Sequence, residues 1–235
     1  MRRVSRRVNN QENGMEHAFE ETIIQLTAPI NGQYPRPWMT KLTDPCHAKV
    51  FIVGKNQAKG YPVGKVGRHN RHIDALFNRN GESCRGLYDE ITNNKPSPTR
   101  LHTDELVRKL EDRNVKEILE TNVICYSTPM SNDLRLPGHM GGSKRGEEIF
   151  RYLLHSVKPK VIIVHGAGAV KRLSTILDRS INGPSNNAGE ISSTKINDFI
   201  IVTIRSLAPP EYNKWSAWAP LHLDAVADFV EGNLL

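Results

Sequence analysis

The feature that most constrains the fold is an uninterrupted apolar run that ends at a glycine, in residues 50–60 (VFIVGKNQAKG). Four apolar residues in succession are typical of a strand that is buried on both faces of a parallel sheet. Asn56 follows Gly54 in the polar segment that leaves this strand. In open α/β sheets, ligands bind beyond the carboxyl ends of the strands. The sequence therefore places an amide side chain where a site is expected, although a polar turn that merely ends the strand would have the same pattern.

Three further apolar runs extend this pattern along the chain, at residues 121–126, 161–164 and 199–204. Apolar residues at helical spacing predict helices at residues 16–26, 73–77, 99–119, 145–157, 169–177 and 221–230. Loops are expected at residues 61–72, 80–98 and 181–193. Strands that alternate with helices favour an α/β fold, here three αβα layers around a four-stranded parallel sheet with helices on both faces. Right-handed crossovers would bring all four strand-end loops to one edge of that sheet.

The length and the charge of the chain suggest its organisation and its partner. A chain of 235 residues suits one domain, which we place at residues 16–235, after a flexible basic arm at residues 1–15. The net charge of +7 favours a polyanionic partner, and nucleic acid is the commonest of these. A basic protein without such a partner is the alternative.

The composition also bears on the cellular compartment. No apolar run approaches the length of a membrane span, and residues 1–21 lack the apolar core of a signal peptide. The three cysteines are odd in number and far apart, which argues for a reducing compartment and against a disulfide framework. We therefore expect a monomer in the cytoplasm or on the nucleoid that is not secreted and has no contact with a membrane.

The chain lacks the sequence motifs of several kinds of chemistry. The chain has no phosphate loop of the form G-x-x-x-x-G-K-[ST], and residues 165–168 (HGAG) are not a dinucleotide fingerprint. Paired metal-ligand spacing and a G-x-S-x-G nucleophile elbow are missing as well. We therefore expect no cofactor and no metal. The strand ends instead offer amides, backbone donors and basic groups, which can orient water, bind a base edge and stabilise an anionic leaving group.

Five segments, in order along residues 45–230, resemble motifs of the uracil-DNA glycosylase superfamily. Residues 54–58 (GKNQA) resemble its G-x-N-P-G motif, especially that of the mismatch-specific and single-strand-selective branches. Residues 70–77 (NRHIDALF) resemble the stretch that follows there, and residues 121–132 (TNVICYSTPMSN) are similar to a segment of the thermostable branch. Residues 158–169 (KPKVIIVHGAGA) resemble the K-P-K-V-I-L-L-G strand, and residues 205–210 (RSLAPP) occupy the place of the H-P-S-P motif.

This resemblance implies a monofunctional DNA glycosylase, which hydrolyses the N-glycosidic bond of a base that has been flipped out of the DNA stack. Asn56 would orient the attacking water. Asn122 would read the base, because an amide can donate and accept on one base edge. Arg205 would stabilise the leaving base, since the usual histidine of the last motif is absent.

The resemblance also implies residues that surround the base and the DNA. Gly54, Gln57 and His69 are assigned to the base pocket, and Tyr61 is expected to cover the base face, with Phe77 as its rival. The expected DNA contacts are Ser206, Tyr212 and Lys214. Either Tyr212 or Trp215 is expected to form a wedge in the duplex. His165 fits either a pocket group or a structural histidine.

Two departures from the family pattern leave the substrate open. Gln57 replaces the usual proline, and no histidine lies between His165 and His222. The sequence is compatible with uracil, a mispaired base or a modified pyrimidine as the substrate, including the hypermodified bases of phage genomes. The role would be in base-excision repair or in antiviral defence. The alternative is a catalytically inactive α/β module that binds nucleic acid or a nucleotide.

Overall fold

The computed structural model describes residues 17–234, so the basic arm expected at residues 1–15 lies outside them. The helices are α1 (residues 17–26), α2 (Val63–Val66), α3 (His69–Leu76), α4 (Cys84–Ile91), α5 (Pro98–Glu111), α6 (Gly142–Val157), α7 (Ala167–Leu177) and α8 (Ala219–Leu234). The strands are β1 (Gln33–Tyr34), β2 (Val50–Gln57), β3 (Tyr61–Pro62), β4 (Ile118–Ser127), β5 (Val161–His165), β6 (Ser192–Ile196) and β7 (Phe199–Ile204).

The main sheet has five strands in the order β4-β2-β5-β7-β6. The four strands predicted from the apolar runs are present and parallel. The prediction of four strands in total was wrong, because β6 adds an antiparallel edge strand beside β7. Strand β6 has the sequence SSTKI and is mostly half-buried. It therefore lacks the apolar run by which a buried strand is recognised.

The two faces of the sheet carry separate apolar cores. Phe51 and Val53 belong to the core that includes α1, α3, α4, α6 and α7, whereas Val50 and Ile52 belong to the core formed with α5 and α8. This division follows from the period of two along a strand. The chain is therefore an α/β protein whose mostly parallel sheet is flanked by helices on both faces. Among the described helices, none is long and apolar enough to cross a membrane.

The predicted boundaries differ from the observed ones at three places that matter for the site. The helix expected at residues 99–119 ends at Glu111, and the chain passes through Asn114, with a φ of 61°, before β4 begins at Ile118. The loop expected at residues 61–72 contains β3, α2 and the start of α3. Residues 80–98, expected to be irregular, contain α4, whose first turn is capped by the side chain of Ser83.

Candidate active site

Three neighbouring strands place Asn122, Gly54 and His165 side by side at the carboxyl edge of the sheet. Gly54 pairs with Asn122, and Val53 pairs with Val164, the residue before His165. A Cβ atom on Gly54 would lie 2.6 Å from Asn122 Oδ1 and 2.9 Å from His165 Nε2. The two polar atoms therefore converge on the buried backbone of Gly54, and only a residue without a side chain allows them to pack this closely.

Asn56 lies two residues beyond Gly54 on β2, and its amide is held at both ends. Its Nδ2 donates to Thr128 Oγ1 at 3.0 Å, and its Oδ1 accepts from Ser131 Oγ at 2.8 Å. The register of β2 against β4 shifts between Asn56 and Gln57, and an irregularity of this kind re-aims a side chain. An amide oxygen can accept two hydrogen bonds, so Oδ1 keeps the capacity to accept one from water.

These side chains share one cavity. Asn56, Asn122 and His165 line a cavity of about 650 Å³ on the α5 side of the sheet. Its other walls come from the first turns of α5, from the start of α7 and from the loop at residues 206–211. This volume lies within the range of about 300–1,000 Å³ that is typical of small-molecule sites. The cavity can thus hold a group much larger than a few waters.

His165 is neutral at physiological pH, and the proton on its ring can be assigned. Its Nδ1 accepts a hydrogen bond from the backbone N–H of Leu207 at 3.5 Å, so the ring hydrogen is on Nε2. Burial lowers the pKa of His165 to about 4. A neutral imidazole thus carries an N–H donor beside Asn122, at the wall of the cavity that both residues line. Such a donor can stabilise negative charge that develops on a ligand oxygen.

Gln57, which the sequence assigned to the base pocket, and Ser206, which it assigned to the DNA contacts, also line the cavity. Gln57 is only 5% exposed, and its Nε2 donates to the backbone oxygen of Arg36 at 2.7 Å. Its amide therefore holds the segment before β2 in place. Ser206 Oγ accepts from the N–H of Ala208 at 3.1 Å, which shapes the loop that follows β7.

Tyr61 and His69 do not line the cavity, which corrects their assignment to the base pocket. Tyr61 is 2% exposed and packs 5.5 Å from the ring of His72. His69 stacks on Tyr34 at 5.2 Å and hydrogen-bonds Thr27 Oγ1 through Nε2 at 3.0 Å. The segment after β2 packs into the core on the other face of the sheet, where Phe77 is also buried.

Arg205, Tyr212 and Lys214 also lie outside the cavity lining. The guanidinium of Arg205 contacts the side chain of Asn186 and lies 5.8 Å from the ring of Trp218, so it is not placed to meet a leaving base. Tyr212 is 8% exposed and stacks on a histidine of α5, which leaves no free wedge. Lys214 is exposed and pairs with Glu211 at 2.5 Å.

Two residues that the sequence interpretation missed contribute to the cavity wall. Glu120 lies two positions before Asn122 on β4, and Arg36 lies with its guanidinium carbon 5.3 Å and 5.6 Å from the rings of Tyr61 and Tyr88. Polar residues at period two in an otherwise apolar strand were the available signal for Glu120. Among the described residues, no three His, Cys, Asp or Glu side chains are grouped as a metal site would require.

Comparisons of the sequence with known proteins give no match. No family model matches the chain, and no curated protein matches it. We therefore infer the function from the side chains at the carboxyl edge of the sheet and from the order of the motifs.

Proposed function

We propose that this protein is a DNA glycosylase, a divergent member of the uracil-DNA glycosylase superfamily that leaves an abasic site. The observation that carries the proposal is the convergence of Asn122 Oδ1 and His165 Nε2 above Gly54, with Asn56 on the same strand and in the same cavity. The order of the five motif-like segments supports the family assignment. A base flipped out of the stack would enter the cavity with its edge toward these groups.

In the proposed reaction, the bond between C1′ of the deoxyribose and the base nitrogen breaks, and the electron pair leaves with the base. The sugar becomes oxocarbenium-like and is attacked by water at C1′, which loses its proton to solvent water, while the base anion takes up a proton from solvent. Asn56 Oδ1 accepts a hydrogen bond from that water, and the two contacts to Thr128 and Ser131 keep the amide oriented. Positioning of this kind removes entropic cost from the attack.

His165 takes the role that the sequence interpretation gave to Arg205. As the base leaves, negative charge develops on its carbonyl oxygen, and the Nε2–H of His165 donates to that oxygen. The ring begins and ends the step neutral, because burial keeps its pKa near 4. Removal of one such preorganised donor typically lowers a rate by about 10²–10³-fold.

The charge of the protein supports a nucleic-acid substrate. Lys55 and Lys59 line the cavity, and neither forms an ion pair with a described carboxylate. Lys55 crosses the first turn of α7, where a Cβ on Gly168 would lie 2.9 Å from its Cδ. Two lysines at the mouth of the cavity could neutralise the phosphates that flank a flipped nucleotide.

The test is abasic-site formation on DNA strands that each carry one uracil, hypoxanthine or modified cytosine. We expect the wild type to release at least one of these bases. Asn56→Ala and Asn56→Asp should lose about 10²–10⁴-fold in rate, the range of a positioned water-activating group, and should keep DNA affinity. Asn213→Ala, at an exposed asparagine outside the cavity lining, is the matched control and should behave as wild type.

Two results would count against the proposal. Wild-type protein that binds DNA but releases no base would favour the inactive binding module. An Asn56→Ala protein that releases the base at the wild-type rate would show that this amide does not orient the water.

A further inference from the structure

A carboxylate stands beside the base-reading amide in the proposed site. Glu120 and Asn122 are two residues apart on β4, so their side chains leave the same face of the strand. Both line the cavity, and the Glu120 side chain is 17% exposed. Their register partners on β2 are Ile52 and Gly54, so Glu120 lies deeper along the sheet than Asn122.

Glu120 is ion-paired with a buried arginine at the cavity wall. Its Oε2 contacts Nη1 of Arg100, whose side chain is 8% exposed. Arg100 Nη2 also pairs with Asp104 at 2.9 Å, and Asp104 does not line the cavity. Arg100 thus balances the charge of Glu120. The two oxygens of an ionised carboxylate offer about four lone-pair sites, so Glu120 keeps the capacity to accept a further hydrogen bond from a group in the cavity that it lines.

A carboxylate accepts hydrogen bonds and does not donate them when ionised. Opposite a base edge it matches an exocyclic amino group, and acceptance from the N4 amino group of cytosine is the known pairing of this type. The oxygen at position 4 of uracil or thymine is also a hydrogen-bond acceptor, so it could not form a hydrogen bond with the carboxylate. Glu120 would therefore distinguish cytosine-type from uracil-type bases, which differ in this group and in the hydrogen that uracil-type bases carry on N3.

We propose that Glu120 is a specificity residue that selects bases with an exocyclic amino group, so that the substrates are cytosine-type and not uracil-type. This inference rests on the proposed glycosylase function. Asn122, which can donate and accept, would bind the neighbouring ring positions. The cavity of about 650 Å³ has room for a substituent on the ring, so substituted cytosines are within the proposed substrate class.

The experiment compares excision within matched pairs of bases, in which one member carries an exocyclic amino group and the other carries an oxo group at the same ring position. Single-stranded DNAs would carry cytosine or uracil, 5-methylcytosine or thymine, 5-hydroxymethylcytosine or 5-hydroxymethyluracil, and adenine or hypoxanthine. We expect wild type to favour the amino member of the pair it acts on. Glu120→Gln keeps the shape but can donate, so the ratio of amino to oxo excision should fall by about ten- to hundredfold.

Asp104→Asn is the matched control, because it removes the other carboxylate on Arg100 without changing the cavity lining. Its ratio should equal that of wild type, with melting curves recorded for all three proteins. Two results would overturn the role of Glu120 and leave the glycosylase proposal standing. One is equal wild-type rates for the two members of a pair, and the other is an unchanged ratio in a folded Glu120→Gln protein. Release of no base from any strand by wild type would overturn the glycosylase proposal, and this inference with it.

Discussion

Two histidines, His165 and His72, have the same protonation state but different surroundings. Burial lowers the pKa of each ring to about 4, so both are neutral at physiological pH. His72 is fully buried, its Nε2 donates to the backbone oxygen of Pro35 at 2.9 Å, and its ring lies 5.2 Å from that of Tyr34. His165 is instead half-buried and lines the cavity, with its Nε2 packed against Gly54 beside Asn122.

This contrast shows that desolvation alone does not make a histidine reactive. The ring of His72 contacts the carbonyl of Pro35 and the rings of Tyr34, Tyr61 and His69, and it does not line the cavity, so it has a structural role. His165 lines the cavity, where a ligand can reach it. The cavity therefore sets access to the ring, whereas desolvation sets the charge of both rings.

Replacement of each histidine by phenylalanine should separate the two roles most strongly. His165→Phe removes the Nε2–H donor, so we expect the excision rate to fall by about 10²–10³-fold. His72→Phe should leave the rate within a few-fold and lower the free energy of unfolding by about 1–3 kcal/mol, because the oxygen of Pro35 loses its donor. Single-turnover excision and urea unfolding of both variants measure these effects. The comparison fails if His72→Phe, while folded, loses as much activity as His165→Phe.

The lowered pKa of His72 predicts how the free energy of unfolding depends on pH. The unfolded chain binds a proton at His72 near the ordinary pKa of 6.5, whereas the folded chain binds it only near 4. The free energy of unfolding should therefore fall as the pH drops from about 6.5 to 4, by on the order of 3 kcal/mol from this residue. His72→Phe should flatten that part of the stability curve. A curve of unchanged steepness in the variant would show that other groups cause the loss.

Gly54→Ala tests the close packing of Asn122 and His165 on Gly54. The added Cβ would lie within 3 Å of both Asn122 Oδ1 and His165 Nε2, so one of them must move. A displacement of about 1 Å in a catalytic group costs on the order of 10²-fold in rate. Gly64→Ala is the control, because a Cβ there meets no atom within 4 Å. Excision by Gly54→Ala at the wild-type rate would mean that the placement of these two side chains does not matter for the reaction.

The parts of the fold that follow from local pattern could be predicted from the sequence. The apolar runs of β2, β4, β5 and β7 identify buried parallel strands, because such strands exclude polar residues from both faces. Strand β6 was not predicted because an edge strand tolerates the polar sequence of residues 192–196. The helix at residues 99–119 was extended too far because Val115 fits the helical spacing of Leu106 and Leu110, although it packs from beyond the helix end.

The candidate site could be predicted only where it follows directly from a strand. Asn56 and Asn122 lie on parallel strands, so their convergence follows from the topology. Tyr61 and His69 follow β2 along the chain but pack on the opposite face, and this choice depends on tertiary contacts that no local pattern records. His165 could not be chosen over Arg205, because which of the two lines the cavity depends on the tertiary structure.

The most direct measurement is the fate of labelled water in a single turnover on a strand with a base that wild type releases. In water enriched in ¹⁸O, we predict one ¹⁸O atom on the abasic deoxyribose, an unlabelled free base and no covalent protein–DNA product. Asn56→Ala, bound to the same strand, should give none of these products in the same time. A protein-linked strand, or an abasic sugar without the label, would contradict hydrolysis by a water that Asn56 orients.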